Sequence, residues 1–560
     1  MRKKGKKFRI TGITLRQIWL SLLLLFLSTF TCGMHQPNNP LANKSRKSYY
    51  VDSVSGNDSH DGLSPQTAWK TLSKASSQAY GPGDRLLLRR GARFNGTLLL
   101  QATGSAQLPV IVDTYDHGDG INAKPIIDAA GYEAGVHITN GSYVEINNLE
   151  IVSDGGTNIE KQALKQRYGV LVEAEKPGIY QHIHVANLDI HAIFATESVP
   201  ANGKNPTSNK GMGIGILAKS EEAKLMDIVI KDCNIGLTGF TGIKISGKSF
   251  DPEFFVQEVR ILNNKLRFIG GPGIQPGRCR DVIVRGNTVD HSGSSVDPRM
   301  HGRGSGIWPW TCHNVLIEKN RFMHARGKAD SDGMHIDYNC KDVVIQYNIS
   351  MDNEGGFIEI LRNNYNCCYR YNLSINDGFR VKGQNGAKQD SRILWLSGYF
   401  GNKKPKKGPF NSYIYNNTIY TKKDSRSCFS IMSTAEGVLI ANNIFYIQGN
   451  TLNTSGNDNS GTKIPGVVFK NNLYLNASII PKDFPIQDSA PIYGDPQFRN
   501  PGGSNPADYI PRNVDLAKDR GIPIETIPGD NIGLKIGLSV EYDLLGKPVE
   551  GLPDIGAFEL

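Results

Sequence analysis

"VIVRGN" (Val282–Asn287), "VLIEKN" (Val315–Asn320) and "VVIQYN" (Val343–Asn348) are three copies of one phrase, an alternating apolar strand that runs into an asparagine. The phrase also closes on Asn148, Asn187, Asn234, Asn264, Asn372, Asn417, Asn443 and Asn472, eleven copies in all. The shorter spacings are 23 to 33 residues, the length of one coil built from three short strands and their turns. Alternation turns Val and Ile inward and Lys, Arg, Glu and Gln outward. The asparagine past each strand is expected to adopt the left-handed conformation and bond the next asparagine along the stack. The pattern predicts an all-β chain, a right-handed parallel β-helix with each coil stacked on the last.

The N-terminus reads differently. Residues 1–31 carry seven Lys/Arg and no acid, ahead of and around an apolar run, Ile18–Phe30, that is short for a bilayer span. Residues 1–32 are expected to be a signal segment. Cys32, in "STFTCG", resembles the acylated cysteine of a bacterial lipoprotein, so lipidation there is one expected outcome and simple cleavage the other. Either route exports the protein, to the periplasm, the outer-membrane or cell surface, or the medium. Without the first 31 residues, 56 basic side chains face 53 acidic ones. That balance leaves no basic stripe for nucleic acid, and membrane contact is expected only through the lipid anchor. The chain is expected to work as a monomer.

Cys279, Cys312 and Cys340 each lie eight residues before their asparagine. They are expected to stack as small buried residues in a turn rather than to form a metal site or disulfide. The segments Tyr49–Ala75, Gly83–Gly96 and "PDIGAFE" (Pro553–Glu559) resemble the two ends of secreted bacterial right-handed parallel β-helix proteins of the pectate-lyase-like superfamily. The resemblance implies a short helix over "SPQTAWKTLSKAS" that plugs the first coil, with Ser64 as N-cap and Pro65 at N1. The expected divisions are a linker over 33–48, an N-terminal cap and first coils over 49–140, the β-helix with its groove over 141–480, and C-terminal coils and cap over 481–560.

Aligning coils on their asparagines brings "GIKIS", "GIQPG", "GIWPW", "GMHID" and "FIEIL" into register. Ile243, Ile274, Ile307, Met334 and Ile358 then point inward. Lys244, Gln275, Trp308, His335 and Glu359 form one outward, exposed column, with Trp310, Asp337 and Leu361 at the next outward position. Charged and aromatic side chains in such a column are unusual for a plain sheet face. Long insertions between Asn148 and Asn187, Asn187 and Asn234, and Asn372 and Asn417 are expected to wall it into a groove.

The catalytic candidates are His335, Asp337, Glu359, Lys244 and Arg362. Trp308, Trp310, Gln275, Arg303 and Tyr338 are expected to bind substrate, the tryptophans as a platform for sugar rings. Asp330, Asp332 and Glu354 are the candidate ligands of a Ca²⁺ ion. The segment from Asp330 to Phe357 resembles a motif of β-helix proteins from polysaccharide-degradation loci. The leading expectation is β-elimination on an acidic, uronate-containing polysaccharide or oligosaccharide of plant or sulfated algal origin. His335, oriented by Asp337 or Glu359, would take the C5 proton, a cation would neutralise the uronate carboxylate, and Tyr338 is a candidate acid. The same machinery makes a lyase or, on a terminal uronate, a dehydratase. A glycoside hydrolase using Asp337 and Glu359 is the runner-up, and a non-catalytic glycan-binding surface protein is the third reading.

Overall fold

A computed structural model describes residues 46–155, 166–194, 210–400, 404–455 and 464–560. The signal segment, Cys32 and residues 33–45 of the linker lie outside them. The chain is a right-handed parallel β-helix. Two faces of the coil are 14-stranded parallel sheets, one running from Ser48–Val51 to Val467–Lys470 and the other from Arg93–Asn95 to Ile492–Tyr493. The third face is a seven-stranded sheet ending at Ile274–Gly277 and a four-stranded sheet beginning at Gly356–Ile360. Single bridges, Ile274–Ile307, Ile307–Met334 and Ile336–Ile360, carry the pairing across the gap. The candidate site occupies that gap.

One continuous core of Val, Ile, Leu and Phe fills the coil. Leu72 and Ala75 fill its N-terminal end, Ile479, Phe484 and Ile486 its C-terminal end. The expected capping helix is two short pieces: a 3-10 turn, Pro65–Thr67, N-capped by Ser64, and an α-helix, Leu72–Ser76, N-capped by Thr71. Trp69 separates them because it is drawn into a bridge with Val51 and buried against the first coil.

The asparagine ladder is eight side chains long, not eleven. Asn264, Asn287, Asn320, Asn348, Asn372, Asn417, Asn443 and Asn472 are buried, and each amide nitrogen donates at 2.7–3.0 Å to the next side chain, the last to Asp488. In the three earlier coils Leu149, Leu188 and Cys233 occupy the ladder position, as the pairing of Glu150, Asp189, Asn234 and Lys265 one residue later shows. Asn148 and Asn187 adopt the left-handed conformation as expected, and Asn187 Nδ2 donates to Asn148 Oδ1, but in the ladder coils that conformation belongs elsewhere. It is adopted by the residue before each ladder asparagine, among them Asn263, Gly286, Lys319 and Tyr347, so the asparagine itself turns inward and its amide is free to bond along the stack.

Residues after Tyr493 return along the outside. Asp530 accepts from Asn366, ahead of a strand of the first sheet, and the "PDIGAFE" segment docks past the other end of that sheet's strands through Asn416 Nδ2 to Asp554 O and Gly556 N to Asn442 O. Cys279, Cys312 and Cys340 are free and buried in one column, each Sγ facing a backbone carbonyl.

Candidate active site

The outward column forms in the predicted register. Lys244 pairs with Gln275, and the Ile274–Ile307, Ile307–Met334 and Ile336–Ile360 bridges place Gln275, Trp308, His335 and Glu359 on successive coils. The column continues to Trp395 and Ser430. Glycines make this stacking possible. A Cβ on Gly242, Gly273 or Gly306 would lie 2.7, 2.5 or 2.3 Å from the carbonyl oxygen of the glycine in the next coil. Beneath the site the buried Tyr369 hydroxyl hydrogen-bonds to Met334 O and Glu359 O, both at 3.2 Å, and pins the two strands together.

The column faces outward but is not exposed. Gln275, His335 and Glu359 are 6%, 4% and 6% exposed, and Asp332, from the turn ahead of His335, is 4% exposed. A strap over 378–391 lies along the 327–332 turn, with Arg380 donating to Asp330 O and Lys388 N to Lys328 O at 2.8 Å. On the other side Tyr338 packs on Phe400 at 4.1 Å and on Trp310 at 5.8 Å. Residues 156–165 and 195–209, in two of the long insertions, lie outside the described residues.

The core of the site is Asp332, His335 and Glu359, whose ligating atoms all lie within 4.8 Å of one another. Burial drives the Glu359 carboxyl well above the usual range, and the neighbouring Asp332 charge adds to it. Asp332 is raised too, by burial, while the charges of His335 and Arg380 and a hydrogen bond with Glu359 oppose the rise. Both shifts favour the protonated carboxyl, and the hydrogen bond between the two needs a proton on one of them. Asp337 is raised by burial to about 6, with His335 acting against the shift. The His335 ring stacks on Trp308, centroids 5.6 Å apart and planes at 18°. Its Nδ1 lies 3.9 Å from Asp332 Oδ2, beyond hydrogen-bond reach, and has no hydrogen-bond partner among the described residues. Gln275 Oε1 is likewise buried and unpartnered. Native interiors seldom leave such atoms unsatisfied, which makes both candidates for contact with a ligand.

Other expected residues are placed elsewhere. Asp330, Asp332 and Glu354 do not gather into one cluster. Asp330 pairs with Arg303 at 2.7 Å, and Glu354 accepts from Gly327 N at 2.8 Å beside Arg326. Of the expected calcium ligands, Asp332 alone joins the central group. Arg303 is thereby engaged with a carboxylate. Arg362 turns away from the carboxylates, its Nε donating to Pro405 O at 2.9 Å and its guanidinium over the Phe400 ring. Lys244 lies three coils from His335, about 14 Å along the stack. Its amine is lowered to about 8, by burial first and then by the cations Lys210, Lys219 and Arg278.

Several site residues escape the sequence pattern. Arg392 stacks 4.0 Å over Trp395 and its charge bears on Glu359. Arg278 lies between Phe250 and Trp310, 4.0 and 4.5 Å from their rings. Trp395 stands 22 residues before its ladder asparagine, against 12 or 13 for Gln275, Trp308, His335 and Glu359. The longer insertion after its strand hides the register.

A family model described as a right handed beta helix region matches residues 213–388, the segment from the Lys244 coil through the strap. Fold and sequence together define a right-handed parallel β-helix protein. A lacto-N-biosidase of Bifidobacterium longum subsp. longum is 26% identical over 91% of this chain, and the chain spans about a third, 36%, of that relative's length. The crystal structure of a GH136 lacto-N-biosidase from Eubacterium ramulus superposes with TM-score 0.53 at 23% identity, covering 72% of this chain and 68% of that one. The PL6 alginate lyase AlyGC is a looser likeness, with TM-score 0.47 and 13% identity over 89% of this chain and 60% of that one.

Proposed function

We propose that the protein is a carbohydrate-active enzyme, a glycoside hydrolase that cleaves an oligosaccharide or polysaccharide held against Trp308 and Trp310. The observation that carries this reading is the group of two buried carboxylates, Asp332 and Glu359, with the half-buried Asp337 beside them, all three shifted toward the protonated form. Glycoside hydrolysis needs one carboxyl as acid and one carboxylate as base or nucleophile, with environments that separate their pKa values. Asp337, near 6, protonates the leaving oxygen. Whichever of Asp332 and Glu359 is ionised supports the oxocarbenium-like centre or activates the water, and the other holds it in place through their hydrogen bond. His335, with Nδ1 unengaged, holds a sugar hydroxyl beside the Trp308 ring. The sequence likeness to a lacto-N-biosidase supports hydrolysis over elimination. So does the electrostatics, because a uronate carboxylate beside this acidic cluster would be repelled.

β-Elimination is the second reading, and Lys244 favours it. An amine near 8 surrounded by cations is poised to meet an anionic sugar. One experiment separates the two. The chain from residue 33 onward is incubated with aryl lacto-N-bioside, neutral oligosaccharides, and alginate, pectate and sulfated uronate polymers, while reducing ends and near-UV absorbance are followed together. New reducing ends without absorbance support the hydrolase. Absorbance gained on a uronate polymer refutes it and moves the base role to His335 or Lys244. Export through residues 1–32 belongs to the same proposal, since such glycans lie outside the cytoplasm.

A further inference from the structure

A second group of ligating side chains sits on another face of the coil, on the outer surface of the first 14-stranded sheet. Glu145 and His184 are directly paired on neighbouring strands, Val144–Asn147 and Gly178–Ala186. His182 and Asp227 stand side by side at the next pair of strands. Both have positive φ, 58° and 50°, and lie between the Gln181–Met226 and Ile183–Ile228 pairs. His182 Nδ1 lies 2.9 Å from Asp227 Oδ2, and His182 Nε2 lies 3.1 Å from Glu145 Oε1. His184 Nε2 lies 3.3 Å from Asp227 Oδ2, and the two rings are 3.8 Å apart.

Three ligating groups of this set converge on one place. Asp227 forms an ion pair with Arg260, and it also lies against His182 Nδ1, which leaves His182 Nε2 turned toward Glu145. An imidazole that donates through Nδ1 offers the lone pair on Nε2 to a cation, and Glu145 Oε1, 3.1 Å away, is placed to share that cation. Two ligands on one tetrahedral zinc ion, with bonds of about 2.0–2.2 Å, sit about 3.3 Å apart. The Glu145–His182 separation fits that spacing, and the ligating atoms of Glu145, His182 and His184 all lie within 4.8 Å of one another. A carboxylate on the far nitrogen of a metal-bound histidine fixes its tautomer, and Asp227 stands in that place.

We propose that Glu145, His182 and His184 bind a divalent cation of the imidazole-preferring class, with Zn²⁺ the best match, and that Asp227 orients His182. The ion ties together the coils that contribute Val144–Asn147, Gly178–Ala186 and Ala223–Lys231. It is a structural clasp, separate from the carboxylate site.

The test is isothermal titration of the EDTA-stripped chain, residues 33–560, with ZnCl₂ at pH 7.5, alongside thermal melts with and without Zn²⁺. His182→Ala and His184→Ala should each remove one equivalent of bound Zn²⁺ and the accompanying rise in Tm. His324→Ala and His335→Ala, in the two other His/carboxylate groups, should keep that equivalent. Asp227→Ala should weaken it about 10–100-fold. Glu145→Gln, nearly isosteric, guards against a folding artefact and should also lose it. If the wild type binds no Zn²⁺, or if the same equivalent survives in both histidine variants, the proposal is overturned and a proton on His182 accounts for the geometry.

Discussion

Replacing Asp337 with Asn separates its chemical role from its structural cost. The carboxyl is held at about 6, against 3.8 for an unperturbed aspartate, chiefly because it is buried. A raised folded-state pKa means that the folded protein binds the proton more tightly than the unfolded chain. The contribution of this carboxyl to stability is therefore greatest below about pH 4, declines as pH rises through the 4–6 window, and stays low above it. A shift of about two units at 1.36 kcal/mol each gives an upper bound of about 3 kcal/mol for the burden of the ionised group above pH 6. Asp337→Asn should remove that burden, raising the denaturation midpoint at pH 7.5 and leaving it nearly unchanged at pH 4. The same change should cut kcat/KM by about 10²–10⁴ on a natural oligosaccharide, the usual contribution of a general acid. With a dinitrophenyl glycoside, whose leaving group needs no proton, most of that loss should vanish. Denaturant titrations at the two pH values and kinetics on the two leaving groups make a complete test. Equal losses on both substrates would remove Asp337 from the acid role. A stability change independent of pH would refute the burial argument.

Further expectations concern the platform, the pair, the ladder and the cation. Trp308→Ala should raise KM about fivefold while changing kcat less, because stacking contributes about 1 kcal/mol of binding; an unchanged KM would place the sugar elsewhere. Glu359→Gln should abolish turnover and shift the acidic limb of the pH profile, since the amide cannot share a proton with Asp332; wild-type kinetics would dissolve the pair. Asn320→Ala should cost about 2–4 kcal/mol, because it leaves buried ladder partners unpaired. The exposed Asn187→Ala should cost about 1 kcal/mol, mostly from its left-handed backbone; equal losses in denaturation would contradict the eight-residue ladder. EDTA should lower Tm and leave kcat/KM intact; loss of activity restored by Ca²⁺ would instead put a cation on Asp332.

The repeat of strand and asparagine is written locally, and it determined most of the architecture. A period-2 strand has one inward and one outward face, and a coil of fixed length stacks each residue on its counterpart. That is why Lys244, Gln275, Trp308, His335 and Glu359 could be aligned from sequence and fall in register in the fold. Glycines at 242, 273 and 306 are part of the same signal, since the close approach of coils leaves no room for a Cβ there, and at Gly333 the Ser350 and Asn353 side chains fill that room.

The lengths of the turns between strands are not repetitive, and what those turns do was decided only in three dimensions. Gln275, His335 and Glu359, which by alternation alone should be exposed, are buried, and the strap over 378–391 lies along the turn that brings Asp332 to them. Asp332 swings in to share a proton with Glu359, while Asp330 and Glu354, as acidic and as near in sequence, are taken by Arg303 and Gly327. Arg362 is drawn off by Pro405 and Phe400. Periodicity fixes where a strand residue points, because backbone hydrogen bonding imposes it at every rung. The partner of a turn residue depends on whichever chain crosses nearby, and that is set by the whole stack rather than by the residue's neighbours in sequence.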